Sequence, residues 1–157
     1  MLRIGIVLLV FLLDQGSKWL ILRHLSFREV VPVIPGFKLT LAYNPGVAFS
    51  LFNSKVGLIP LLLTVFVSLI CISIAFWLMK TPKNDKWTSY ALAFILGGAL
   101  GNLYDRIAYG HVIDFIDTYI YTWHWYTFNV ADSFITLGAL MMFKTILFSS
   151  ERENATS

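Results

Sequence analysis

The chain has 157 residues, room for about one domain, of which 57% are hydrophobic and only 13% charged, a composition that points away from a water-soluble globule and toward the membrane. A net charge of +3 and a pI near 9.1 come from basic residues scattered between apolar runs, which argues against nucleic-acid binding. The single cysteine, Cys71, excludes an internal disulfide and reads as a packing residue.

A hydrocarbon layer about 30 Å thick needs about 20 helical residues to cross it. Four windows of that kind occur, Ile4 to Leu22, Val56 to Met79, Trp87 to Tyr104 and Asn129 to Phe148. The middle two hold no charged residue, whereas the first carries Asp14 and Lys18 and the last Asp132 and Lys144. The expected fold is an all-α membrane protein of four transmembrane helices with a small extracytoplasmic β cradle and an interfacial segment. One domain would occupy residues 1–148, with spans at about 4–22, 56–79, 87–104 and 129–148, and residues 149–157 would form a polar, unstructured cytoplasmic tail.

Arg3 and the apolar run after it imitate a secretory leader, but Asp14 and Lys18 interrupt the run and no small-x-small cleavage site follows. The run therefore predicts a retained first helix. Asp14 precedes Lys18 by four residues, on one helix face and in the favourable order. Each charge at a helix centre costs about 2.5 to 3.5 kcal/mol on insertion scales, so the pair implies function or a contact facing the bundle.

Residues Leu25 to Lys55 are too polar and proline-rich to span. Within them Phe37, Leu39, Leu41 and Tyr43 alternate with Lys38, Thr40, Ala42 and Asn44, which predicts a strand. It ends in Asn44-Pro45-Gly46, which is either a plain turn or a turn facing substrate. In the second case Gly46 permits close backbone approach and the Asn44 amide donates and accepts hydrogen bonds to a peptide.

The second window returns the chain to a short connection crowded by Lys80, Lys83 and Lys86, and such loops favour the cytoplasm. Both termini then lie inside, while 25–55 and 105–127 lie outside, although Arg28, Lys38, Lys55 and Arg106 sit in those outer segments. In the third window Gly97 and Gly101 form a small-xxx-small packing face. Asn102 and Arg106 continue at helical spacing, the arginine either anchoring to headgroups or orienting a carboxylate. Read as a helix, Val112 to Tyr121 would gather Val112, Phe115, Ile116 and Tyr119 in one stripe with Asp114 and Asp117 opposite, which suits an interfacial helix. Trp123, Trp125 and Tyr126 fit an aromatic belt. Asn129 and Asp132, three apart before the fourth window, predict a helix start with Asn129 as N-cap.

Five of the six aspartates fall toward the outer side. Two carboxylates in a poorly solvated site share a proton, and such a pair activates water with one member while the other protonates the departing group. Asp132 is one candidate, and spacing alone leaves Asp14, Asp105, Asp114 and Asp117 open as its partner. Other hydrolytic plans lack their motifs: H-E-x-x-H and G-x-S-x-G are absent, Ser17 and Lys18 point about 100° apart on a helix, and three scattered histidines form no metal set. A presenilin-like protease would add G-x-G-D to Y-D, and only Tyr104-Asp105 is present. Two readings from other classes are a small proton-coupled transporter built on Asp14 and Lys18, and a non-catalytic membrane-assembly subunit.

Five ordered blocks resemble the bacterial prolipoprotein signal peptidases, or signal peptidase II, over nearly the whole length. They are Asp14-Gln15-x-x-Lys18, Asn44-x-Gly46-x-Ala48-Phe49, Gly97-Gly98-Ala99-x-Gly101-Asn102-x-x-Asp105-Arg106, Val112-x-Asp114-Phe115-x-Asp117 and Phe128-Asn129-x-Ala131-Asp132-Ser133. The resemblance implies an aspartic endopeptidase of the bacterial cytoplasmic (inner) membrane, multi-pass, with its site toward the extracytoplasmic face. It would remove the signal peptide of a diacylglyceryl-modified prolipoprotein by cleaving before the lipidated cysteine. It also implies Asp114 and Asp132 as the catalytic pair, with an attacking water and neither metal nor cofactor. Asp14, Lys18, Asn44, Gly46, Gly98, Asn102, Arg106, Asn129 and Ala131 match its substrate-binding or site-supporting positions. The implied partners are prolipoprotein substrates and membrane lipid, with no nucleic acid and no protein partner needed for activity. The tail departs from the family pattern in being short and mixed in charge rather than plainly basic.

Overall fold

The computed structural model describes residues 2–46 and 58–154. Their order is α1 (Leu2–His24), β1 (Val30–Ile34), β2 (Phe37–Asn44), α2 (Leu58–Lys80), α3 (Lys86–Tyr109), β3 (Val112–Ile120), β4 (Trp123–His124) and α4 (Val130–Asn154). The Ala48-Phe49 pair, Lys55 and the start of the second apolar window at Val56 lie outside the described residues.

Among the described residues, three stretches are long and apolar enough to cross a membrane: Leu2–His24, Pro60–Lys80 and Val130–Leu147. They leave large apolar side chains such as Leu12, Phe66, Ile72 and Leu140 exposed, a surface that suits lipid rather than water. Helix α3 differs because it sits in the middle, packed against α1, α2 and α4. Its buried residues run from Thr88 to Asp105 and include three glycines, a serine and an asparagine. A helix walled by protein has room only for small residues where backbones approach closely, so its hydropathy falls while its 24 residues still extend about 36 Å at the usual rise.

The glycines set the helix spacing. A Cβ on Gly97 would lie 2.7 Å from the Val10 Cβ and 2.9 Å from the Val7 carbonyl on α1, and one on Gly101 would overlap the Asp14 carboxylate. The Gly97–Gly101 face therefore packs on α1. Toward α4, a Cβ on Gly98 would come within 2.5 Å of the Ala131 carbonyl, and one on Gly138 within 2.6 Å of the Ala91 carbonyl. Around these contacts Val7, Cys71, Leu78, Leu92, Ala93, Leu96, Ala99 and Leu103 form the main apolar cluster, with Cys71 as a packing residue.

Beyond one end of the bundle lies an antiparallel sheet in the order β1-β2-β3-β4. Strand β2 forms where the alternation of Phe37 to Tyr43 predicts it. Its register on β3 pairs Ala42 with Asp114 and Asn44 with Val112.

The interfacial helix expected over Val112 to Tyr121 is not present; the segment is strand β3. Gly110, with φ 76°, stops α3 and donates its N–H to the Arg106 carbonyl, and the following residues are rich in β-branched Val112, Ile113, Ile116, Thr118 and Ile120. Partners on both sides complete the case, since β2 pairs along one edge while Phe115 and Ile116 donate to the Phe128 carbonyl on the other. Strand geometry sends Asp114 and Asp117 to opposite faces. Ile113 and Phe115 join Ile21 and Leu41 in a second cluster that fastens the sheet to α1.

The polar residues after Ser149, expected to be unstructured, continue α4 as far as Asn154. Glu151, Arg152 and Glu153 are good helix formers, and extending an existing helix avoids the cost of starting one.

Gly101→Ala is expected to destabilise the protein by about 1–3 kcal/mol, because its methyl group meets a carboxylate held in place. Gly16→Ala on exposed α1, with nothing within 4 Å of the added methyl, is expected to be neutral or to stabilise by up to about 1 kcal/mol. Thermal melting in detergent checks both, and equal losses in the two variants would refute the packing account.

Candidate active site

The site is built outward from a buried cation. The Lys18 Nζ lies 2.7 Å from an Asp14 oxygen and 2.7 Å from an Asp105 oxygen, with all three side chains no more than 1% exposed. Its third donor reaches the Asn102 Oδ1 at 3.1 Å, so the ammonium is fully committed. The expected Asp14–Lys18 pair thus forms, and Asp105 completes it.

The two acids also fasten backbone. Asp14 Oδ1 accepts the Ala131 N–H of α4 at 2.9 Å, and Asp105 Oδ2 accepts the Ile113 N–H of β3 at 3.1 Å. Gln15, which the sequence reading passes over as a site residue, donates to Asp14 Oδ2, Asp105 Oδ1 and the Gly101 carbonyl at 3.0–3.2 Å. Its position beside Asp14 in the first motif block was the available clue.

Two asparagines carry the order forward. The Asn102 Nδ2 donates to Asp132 Oδ1 at 2.8 Å, and Asn129 Nδ2 donates to Asp114 Oδ1 at 2.7 Å and to Asn102 Oδ1 at 3.0 Å, sharing a longer contact with the Ile113 carbonyl. Asn129 is also the N-cap expected from the sequence. Its Oδ1 accepts the Asp132 N–H at 2.9 Å, while Asp132 Oδ2 accepts the Asn129 N–H at 3.2 Å, a reciprocal capping box. Capping and site-building are therefore one arrangement, which places the Asp114 and Asp132 carboxyls beside a common asparagine.

Asp114 is reached from its other side by Asn44, whose Nδ2 donates to Oδ2 at 2.9 Å. The β2–β3 register explains this contact, because Asn44 lies two residues beyond Ala42, the partner of Asp114, on the same face. The Asn44 Oδ1 also accepts the Gly46 N–H at 2.8 Å, closing a turn in which Gly46 has φ +79°. A Cβ there would collide with Leu63 and come 3.7 Å from Arg106 Nη2. Arg106 donates through Nη1 to the Asn102 carbonyl at 3.1 Å, and its buried Nε has no hydrogen-bond partner among the described residues. Neither of its two expected roles, anchoring to headgroups or orienting a carboxylate, shows as a contact among the described residues, where its one hydrogen bond goes to backbone.

Burial pushes the Asp114 carboxyl up to about 6, and the neighbouring Asp132 charge acts in the same direction. Hydrogen bonds from Asn44 and Asn129 and the Lys18 charge pull it back down. Asp114 thus holds a proton at a pH where an ordinary carboxyl has lost it.

Of the partners the spacing leaves open for Asp132, Asp14 and Asp105 are taken by Lys18. Asp117 faces away and binds His124 Nδ1 at 2.9 Å and Lys38 Nζ at 3.3 Å. Gly98 and Ala131 act through packing: Ala131 is fully buried, and its carbonyl fills the space that a side chain at 98 would occupy. Among the described residues no group of three or more His, Cys, Asp or Glu side chains converges as metal ligands would.

Residues 6–148 match the family described as signal peptidase (SPase) II. The lipoprotein signal peptidase of Alteromonas mediterranea is 40% identical over 153 residues, covering 95% of this chain and 84% of that protein. The lipoprotein signal peptidase of Pseudomonas aeruginosa is 45% identical over 139 residues, covering 87% and 82%. Among solved structures, a bacterial membrane enzyme determined by the in meso method at 2.3 Å resolution is similar with a TM-score of 0.80 and 28% identity, covering 96% of this chain and 90% of that one.

Removing the Asn44 amide takes away a hydrogen bond that favours the charged form of Asp114, so Asn44→Ala is expected to move its titration midpoint above 6. Isotope-edited infrared titration of the carboxyl band reads this directly. A midpoint that stays put or falls would overturn the assigned role of Asn44.

Proposed function

This chain belongs to the signal peptidase II family of aspartic peptidases, and from that premise we propose that it removes signal peptides from diacylglyceryl-modified bacterial prolipoproteins, cleaving before the lipidated cysteine with Asp114, Asp132 and one water. The observation that carries this reading is the sharing of Asn129 between the two carboxyls, by its side chain on Asp114 and by its backbone and side chain on Asp132.

Asp132 sits in the first turn of α4. It takes a proton from the water as the oxygen attacks the scissile carbonyl carbon. Asp114, which keeps its proton through burial, gives it to the carbonyl oxygen, and a neutral gem-diol results. Collapse of that intermediate breaks the carbon–nitrogen bond: Asp132 returns its proton to the leaving nitrogen, and Asp114 recovers one from a hydroxyl. The pair ends as it began. Arg106 brings its Nη2 to the turn at Gly46, and that turn gives a peptide backbone close access.

The acyl chains of the precursor rest against the exposed apolar faces of the helices, and α3 crosses the membrane with the other three. The cell inner membrane is the site of action, with both termini cytoplasmic and the carboxyl pair extracytoplasmic. The lysine-rich turn at Lys80, Lys83 and Lys86, at the end of α2 remote from the sheet, supports that orientation. No protein partner, nucleic acid, metal or cofactor takes part.

Purified protein in detergent with chelator present is expected to cleave a diacylglyceryl-modified prolipoprotein, and Asp114→Asn and Asp132→Asn, at matched folded amounts, to lose activity by about 10²-fold or more. Cleavage retained in either variant would rule out this pair, and no cleavage by the well-folded parent would reject the substrate.

A further inference from the structure

At the bundle end opposite the carboxyl pair, the start of α1 and the α2–α3 turn enclose a cavity of about 260 Å³ lined by Leu2, Arg3, Lys83, Lys86, Ser89 and Tyr90. Three cations line it and no carboxylate does. Among the described residues none of the three forms an ion pair.

The wall is built rather than loose. Arg3 donates through Nη1 to the Leu78 and Thr81 carbonyls at 3.0 and 2.8 Å and through Nη2 to the Pro82 carbonyl at 2.6 Å. These bonds close the end of α2, whose last carbonyls lack helical partners, and they pin the guanidinium while leaving its full charge uncompensated. The nearest acid in the turn, Asp85, is turned to backbone as the α3 N-cap, accepting the Thr88 N–H at 3.1 Å. Tyr90 makes no hydrogen bond through its hydroxyl among the described residues, which leaves that group available.

The depth of the cavity identifies what would fill it. The candidate spans Leu2–His24 and Pro60–Lys80 begin and end here, so the opening lies level with lipid headgroups. Beside it Leu2 and Trp87 are exposed, at 65% and 61%, and Lys144 stands 5.6 Å from the Trp87 ring centre. One rim of the cavity therefore meets hydrocarbon while its walls present cations and hydroxyl groups. We infer that this cavity binds the phosphodiester headgroup of an anionic phospholipid, with its acyl chains passing out over Leu2. The site requires that the helices cross a bilayer and is independent of the reaction at the other end.

A basic residue near an anionic membrane surface strengthens binding about five-fold, so position is what separates a site from a general surface attraction. The full-length protein is titrated with phosphatidylglycerol or phosphatidylcholine in detergent, and retained lipid is counted by native mass spectrometry. One phosphatidylglycerol is expected to be retained in preference to phosphatidylcholine, about five-fold less tightly in Lys83→Gln and in Lys86→Gln, and undiminished in Lys80→Gln, which removes the same charge outside the cavity. Equal retention of the two lipids, or an equal loss in Lys80→Gln, overturns the proposal, as does displacement by inorganic phosphate, which would make this a soluble-anion site. If either glutamine variant melts early, Lys83→Arg and Lys86→Arg decide the matter, because they keep the charge and must keep the lipid.

Discussion

The arrangement depends on a lysine that cannot reach water. Lys18 lies inside the bundle with Asp14 and Asp105 against it, and desolvating such ions costs several kcal/mol per group unless every donor and acceptor finds a partner. That demand propagates. Asp14 must reach across to the backbone of α4, Asp105 to the backbone of β3, and the last ammonium proton to Asn102. Three helices and the sheet are therefore indexed to one atom, and Gly101 is a glycine because the carboxylate of Asp14 occupies the space of its side chain.

From this anchor the order passes through amides rather than charges. Asn102 and Asn129 each donate and accept, so they can face a carboxyl on one side and another amide on the other without adding charge. A cation in either place would hold Asp114 ionised. Neutral amides fix the positions of both carboxyls and leave burial to decide protonation, which is why Asp114 can hold its proton although three neighbouring groups work against it.

Much of this was legible in the residues. The apolar windows mark helices, the alternation from Phe37 to Tyr43 marks β2, the i,i+4 spacing marks Asp14 with Lys18, and the spacing of Asn129 and Asp132 marks the cap. Two features were hidden for physical reasons. Val112 to Tyr121 carries apolar residues that satisfy a helical stripe as well as a strand, and only its partners on β2 and at Phe128 settle the choice. Which aspartate joins Asp132 depends on contacts between residues far apart in sequence. Two helices, a strand and a cap bring acids near the same end of the bundle, and spacing says nothing about Asp105 joining Asp14 on Lys18. The blocks that resemble signal peptidase II imply Asp114, a choice that periodicity cannot make.

The hairpin between the two carboxyls has its own significance. Phe115 and Ile116 both donate to the Phe128 carbonyl, and Phe128 donates back to Ile116, so the chain is clasped just after Asp114 and again just before Asn129. Beyond the clasp β3 runs on against Phe37 and Lys38 of β2 and then pairs with β4, and the residues that follow Ile120 include the exposed Tyr121, Trp123, Trp125 and Tyr126. A change in the exposed stretch from Tyr121 to Tyr126 therefore meets the Phe128 clasp and the β2 ladder before it reaches Asp114 or Asn129. The protein thus sets an exposed aromatic surface beside a closely bonded centre, joined to it through backbone hydrogen bonds that do not depend on side-chain identity.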